Sequence, residues 1–166
     1  MIVECRNPQL IKDIITVPEL WDNISEDDQN PDLWEPDLTE AWLAAIDDKN
    51  QVIGFYNLHV RNSVTLQIHP MILPTRRGKL AYQTAMQALR WVNEYTTFNK
   101  VVCEIPVIYP HVKMFAMQCG MVKEGINRRS FLKYGKIHDM WMLGITRDEI
   151  TERCHEQDRK NAIRRH

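Results

Sequence analysis

The order of apolar and polar residues divides the chain into short alternating runs and a few stretches with helical period. MIVEC reads as a short first strand. NPQLIKDIITV follows as a helix, with Asn7 placed to cap it and Pro8 at the first helical position. PELWDNIS reads as a second short helix. SEDDQNPDLWEPDLTE then breaks both periods. It is acidic, carries two prolines, and reads as the longest loop, the kind of segment that covers functional sites.

AWLAAID and VIGFYNLHV are rich in residues that suit strands and are separated by DKNQ. With the turn RNS and the run VTLQIHPMIL, they predict a three-stranded antiparallel meander over 41–73. Residues 78–95 place Ala81, Ala85, Ala88, Leu89 and Val92 on one helical face. KVVCEI is a further strand. Residues 110–119 read as a short helix with Val112, Phe115, Ala116 and Cys119 inward and Gly120 as its stop. Two last strands, about 122–134 and 138–145, turn at YGKI, and Thr146 and Glu149 have the spacing of a capping box. The order mixes hairpins with strand–helix–strand crossovers. It predicts an α/β domain with one mixed sheet and helices on both faces. The expected division is a domain over 1–146 and a charged C-terminal helix or tail over 147–166.

Composition narrows the classes. At 166 residues the chain is long enough for one domain with a substantial core. The net charge of -1 gives no global field for nucleic acid or a membrane surface. There is no apolar run of transmembrane length, and the first residues have an acid where a signal peptide has its charged and apolar regions. Cys5, Cys103, Cys119 and Cys154 form no CxxC pair, so neither a zinc site nor a disulfide framework is expected. The expected setting is cytoplasmic, with reduced thiols. The histidines show no metal-ligand spacing.

The chemistry concentrates in LPTRRGKLAYQ, between a strand and a helix. Arg76, Arg77 and Lys79 bring charge, Gly78 brings backbone room, and a helix start offers free N–H groups to an anion. A solvated basic turn is the plain alternative, although cations there oppose the helix dipole. Glu104 is a candidate general base, or a solvent-facing acid at a strand end. His69 is a rival base by its intrinsic pKa, or a hydrogen-bonded strand histidine. The tryptophans are core candidates, except Trp34, which the acidic loop places to line a pocket. The tail, with Arg159, Lys160, Arg164 and Arg165 at its basic end, reads as a solvated terminus or as a contact for an acidic partner or nucleic acid.

The strand–Leu-Pro–Arg-Gly-Lys–helix sequence resembles the acetyl-coenzyme A signature of the GNAT family of N-acetyltransferases, Arg/Gln-x-x-Gly-x-Gly/Ala. With the arginine set at Arg77, Leu80 and Tyr82 occupy the two small-residue positions. With Thr75 in the first slot, Gly78 fills the first small position and Leu80 the last. EIPVIYPHVKMFAMQCGMVKEG resembles the family's later region, with Gly120-Met121 for its Gly-Phe and Glu124-Gly125 matching. GKIHDMWMLGI resembles its closing hairpin. The resemblance implies a single GNAT-like domain with a mixed, mostly antiparallel sheet.

It also implies acetyl transfer from acetyl-coenzyme A (acetyl-CoA), as co-substrate, to the amine of a small molecule or protein. Met71, Ile72 and Leu73 would offer strand edge to the pantetheine. Arg76, Arg77, Gly78, Lys79, Leu80 and Ala81 would form the pyrophosphate turn, and Glu104 would be the base. The tyrosine that many members use as general acid falls at Ala116. Tyr109, at the family's asparagine position, is the other hydroxyl within a helix turn. The acidic segment 25–40 would favour a cationic acceptor.

A narrower resemblance lies in VPELW, FYNLHVRNSVTLQIHPMILP, EIPVIYPHV and IHDMWMLGIT, which are similar to a small GNAT-like family of tailed phages, some described as head-assembly proteins. It implies a phage origin, host-cytoplasmic or virion-associated placement, and phage structural proteins as partners. It carries the alternative expectation, a catalytically weak or inactive protein using the fold as a binding or assembly module.

Overall fold

The computed structural model describes residues 1–163. Its elements follow the predicted order: β1 (Ile2–Glu4), α1 (Pro8–Ile15), α2 (Pro18–Ile24), β2 (Ala41–Ile46), β3 (Val52–Asn62), β4 (Thr65–Ile72), a 3-10 turn (Pro74–Arg76), α3 (Lys79–Tyr95), β5 (Lys100–Pro106), α4 (Pro110–Gln118), β6 (Val122–Lys133), β7 (Lys136–Thr146) and α5 (Arg147–Ile163). The seven strands form one sheet in the order β1-β2-β3-β4-β5-β7-β6. Every neighbouring pair is antiparallel except β4 and β5. The expected single α/β domain, with a mixed, mostly antiparallel sheet, is what the chain forms.

Strand alternation divides the core between the two sheet faces. On one face, Leu43 and Ala45 of β2, Tyr56 and Leu58 of β3, and Leu66 and Ile68 of β4 pack with Ala81, Ala85, Leu89 and Val92 of α3. Their neighbours in sequence, Trp42 and Ala44, Phe55, and Met71, join Ile11 and Ile15 of α1 and Leu20 of α2 on the other. The phenol of Tyr56, fully buried, donates to the carbonyl of Ala81 at 3.1 Å and meets Thr84 Oγ1 at 2.9 Å. A buried hydroxyl is thereby satisfied, and β3 is tied to α3.

Local chemistry sets the element ends. The Asn7 side chain accepts from the Leu10 N–H at 3.1 Å, with Pro8 at the first position of α1. At Gly54 a Cβ would stand 2.2 Å from the Met71 carbonyl oxygen, and φ is +149°, so only glycine lets β3 approach β4 this closely. The register of β2 on β3 shifts just beside it, between Ala45 and Ile46.

Two expectations change. The charged tail is not wholly solvated: Ile150 and Cys154 of α5 are buried in the core beneath α3, and Arg90 donates to Asp158 at 2.7 Å. The predicted capping box forms there, with the Thr146 N–H donating to Glu149 Oε2 at 2.8 Å. Arg164 and Arg165 of the proposed basic end lie outside the described residues. The acidic loop is also less free than its composition implies. Glu26 accepts from the Leu132 N–H at 2.7 Å, and Asp27 accepts from the N–H groups of Tyr134 and Gly135 at 3.0 and 2.7 Å. These carboxylates fasten the loop to the β6–β7 hairpin.

Candidate active site

The one parallel pairing is short. β4 and β5 are in register at Thr65–Lys100, Leu66–Val101 and Gln67–Val102, and there the ladder stops. Beyond it β4 pairs only with β3 and β5 only with β7. Pro70 and Pro106, one on each diverging strand, bring no N–H to the gap. A cavity of about 670 Å³ passes through this gap and is lined from both sides of the sheet. Ala85, Leu89, Phe115 and Ala116 line it on the α3 side; Trp34, Trp42, His69 and Glu104 line it on the α1–α2 side.

The α1–α2 side is polar by strand alternation. Asn57, His59 and Arg61 of β3, Gln67 and His69 of β4, and Glu104 of β5 share one face. Arg61 donates to Glu104 Oε1 at 2.8 Å, with the Glu104 side chain 18% exposed. Glu40, at the end of the acidic loop, accepts from Asn57 Nδ2 at 2.7 Å through one oxygen. Its other oxygen meets His59 Nδ1 at 2.5 Å. His69 stands among all four of these charged or titratable groups. Its ring reaches the cavity's solvent yet is hemmed in by protein atoms, and desolvation holds it below 6.5 against the pull of Glu40. Desolvation thus favours the neutral imidazole.

The charge of the wall is one-sided. Glu26, Glu35, Asp37, Glu40 and Glu104 line the cavity, and among the described residues no lysine or arginine does, although Lys12 pairs with Glu35 at 2.6 Å and Arg61 with Glu104 from behind the wall. Trp21, Trp34 and Trp42 form an edge-to-face ladder with centroids 6.0 Å apart at each step, so the expected pocket role of Trp34 comes with two partners. Cys103 and Cys119 also touch the cavity, but burial pushes both thiols up to about 12 and leaves them protonated.

The basic turn lies beyond the end of β4, outside the cavity wall. Gly78 caps α3 with φ +85°, and no side chain caps the helix. The N–H groups of Lys79, Leu80 and Ala81 precede the first intrahelical bond, from Tyr82 to Gly78, and so have no helical partner. Arg77 and Lys79 are exposed. Arg76 instead faces the β2–β3 turn, donating to Gln51 Oε1 at 3.1 Å and lying 3.6 Å from the buried Asp47 carboxylate. Met71 lines the cavity, while the Leu73 N–H is taken by the Ile53 carbonyl at 2.9 Å.

Tyr109 caps α4 but is not on the cavity wall. Its hydroxyl is buried without a hydrogen bond, and burial, then the Tyr134 phenol beside it, pushes it up to about 12. Ala116, on the wall, offers no hydroxyl. Among the described residues no group of histidine, cysteine and acidic side chains is arranged to hold a metal ion, and no helix is long and apolar enough to cross a membrane.

Sequence reading named Glu104 and His69 as candidate bases, which lie on this face, and passed over Glu40, Asn57, Arg61 and Gln67. The available signal was the alternation in FYNLHVRN, where every second residue from Asn57 onward is polar within an otherwise apolar strand.

The fold is shared with N-acetyltransferases. The crystal structure of spermidine N-acetyltransferase from Vibrio cholerae in complex with CoA and spermine superposes with a TM-score of 0.76 at 17% identity, over 91% of this chain and 97% of that one. Two chimeras of the Vibrio cholerae enzyme with hSSAT give 0.74 at 15% identity, over 91% and 97% of the two chains, and 0.64 at 21% identity, over 69% and 72%. At these identities the likeness establishes the GNAT fold. No curated protein sequence matches the chain. Residues 14–156 match the family described as "Protein of unknown function (DUF2824)", and the chain belongs to that family.

Proposed function

We propose that the protein transfers the acetyl group of acetyl-CoA to the nitrogen of a cationic amine. The observation that carries this reading is the cavity at the β4–β5 divergence. It joins an apolar face packed on α3 and α4 to a face lined by five carboxylates, of which Glu104 is paired with Arg61 and Glu35 with Lys12.

The N–H groups of Lys79, Leu80 and Ala81 would hold a pyrophosphate with the Lys79 side chain and the terminal nitrogens of Arg77, whose Nε donates to the Ile72 carbonyl at 3.5 Å. Arg76, turned toward Asp47 and Gln51, braces the turn on the β2–β3 hairpin. The strand edge of Met71 to Leu73 and the gap below it accept the pantetheine arm. The acceptor enters past Trp34 and Trp42, where the acidic wall raises the local concentration of ammonium ions.

An ammonium must lose a proton before its lone pair attacks the thioester carbonyl. Glu104 receives that proton through water, and neutral His69 is the second acceptor within the same cluster. Arg61 positions Glu104. Nitrogen gains the carbonyl carbon, the carbon–sulfur bond breaks, and a proton returns to the thiolate. Ala116 supplies none, so solvent does.

A second reading keeps the cavity and gives up turnover, leaving a binding or assembly module that serves phage structural proteins. Ala116 and the bulky Leu80 and Tyr82 favour it. The experiment that separates the two is thiol release from acetyl-CoA on addition of amines, beginning with spermidine because the structural neighbours act on it. Amine-dependent release that Glu104→Gln reduces supports transfer. Its absence across mono-, di- and polyamines favours the module.

A further inference from the structure

We propose that the cavity floor holds a second cationic nitrogen of the acceptor, between the Gln67 carboxamide and the Glu40 carboxylate. The substrate class is then an aliphatic amine carrying two ammonium groups.

Gln67 is the observation that points to a ligand. It is 9% exposed, lies on the cavity wall, and among the described residues its side-chain amide makes no hydrogen bond. Its amide atoms keep contact with the cavity, so they are open to a ligand there rather than committed to a protein partner. Gln67 stands directly opposite His59 on β3. His59 in turn fixes one oxygen of Glu40, and Asn57, 6% exposed, fixes the other. The carboxylate is locked in place, yet each oxygen keeps a lone pair for a further donor. A carboxamide oxygen and a carboxylate together accept N–H groups and repel anions. No lysine or arginine on the wall satisfies them. Trp34 and Trp42, on the same cavity wall, offer apolar surface to the methylene stem between the two nitrogens.

This proposal rests on the transferase reading only for which nitrogen is acetylated; binding is independent of it. The test is calorimetric titration of cadaverine and of n-pentylamine, amines of equal chain length, into the full chain. Cadaverine is expected to bind at least about tenfold more tightly. Gln67→Leu and Glu40→Gln should each remove most of that preference. Gln67→Glu, which keeps the shape and adds charge, should increase it and serves if the leucine variant fails to fold. Equal affinities, no binding of cadaverine, or a preference that survives the Gln67 and Glu40 variants overturns the subsite. A preserved preference without thiol release leaves the subsite standing and removes the transferase reading.

Discussion

Arg61 on β3 reaches across β4 to Glu104 on β5, its guanidinium 2.8 Å from Oε1. The pair bridges the strand that carries Gln67 and His69, at the level where β4 and β5 begin to part. Glu104 is therefore held in place at the mouth of the gap. A partly exposed ion pair of this kind contributes little to stability, up to about 1 kcal/mol. Its value lies in placement.

Replacing Glu104 by Gln keeps shape and removes the proton acceptor. The variant is expected to lose about 10²-fold in kcat while its melting temperature stays within a few degrees. Arg61→Met, which only loosens the carboxylate, should cost less than about tenfold. Steady-state kinetics beside thermal unfolding checks both. Equal kcat in wild type and Glu104→Gln would pass the role to His69.

His69 gives a pH signature. Desolvation holds its folded-state pKa below 6.5, the unfolded value. Between the two values the unfolded chain binds more protons than the folded one, so stability falls as pH drops from about 6.5 toward the folded value. His69→Asn should flatten that part of the stability curve measured by denaturant titration. A curve unchanged by the substitution would show that the ring titrates freely.

Asp27 gives a second window of the same sign at lower pH. The N–H groups of Gly135 and then Tyr134 hold its carboxyl below 3.8. Its contribution is fully present above 3.8 and is lost as pH falls through the lower folded value. Asp27→Asn should loosen the acidic loop from the β6–β7 hairpin, seen as faster amide exchange at Tyr134 and Gly135. Because Glu26 and Asp27 serve this fastening, neutralising them alters loop order as well as charge.

The element order was legible because strand alternation and helical period are written locally, as in the FYNLHV and AMQALRWV runs. The arginine turn was legible for the same reason: Gly78 and its basic neighbours are contiguous. The acceptor side was only half legible. Glu40, Asn57, His59 and Gln67 come from a loop end and two strands, and strand register alone brings them together. The service of Arg76 to Asp47, and of Asp27 to the hairpin, depends on side-chain direction, which spacing does not carry. Ile150 and Cys154 are two apolar positions in a charged helix, too sparse to announce that α5 is docked.

Tyr109 separates a structural hydroxyl from a catalytic one. An unpaired buried hydroxyl costs about 1 kcal/mol or more, so Tyr109→Phe should hold or raise stability. With the residue off the cavity wall, kcat should stay within about twofold, against the 10²-fold or larger loss expected of a general acid. A drop of that size would assign Tyr109 the leaving-group proton.

The most direct test of the central claim is calorimetric titration of acetyl-CoA into the full chain, beside the Arg77→Ala, Lys79→Ala double variant. Roughly micromolar binding by the wild type, weakened at least about tenfold in the variant, is the predicted result. It would place the pyrophosphate on the turn that opens α3. No binding at about millimolar acetyl-CoA, or equal binding by both proteins, would contradict the assignment.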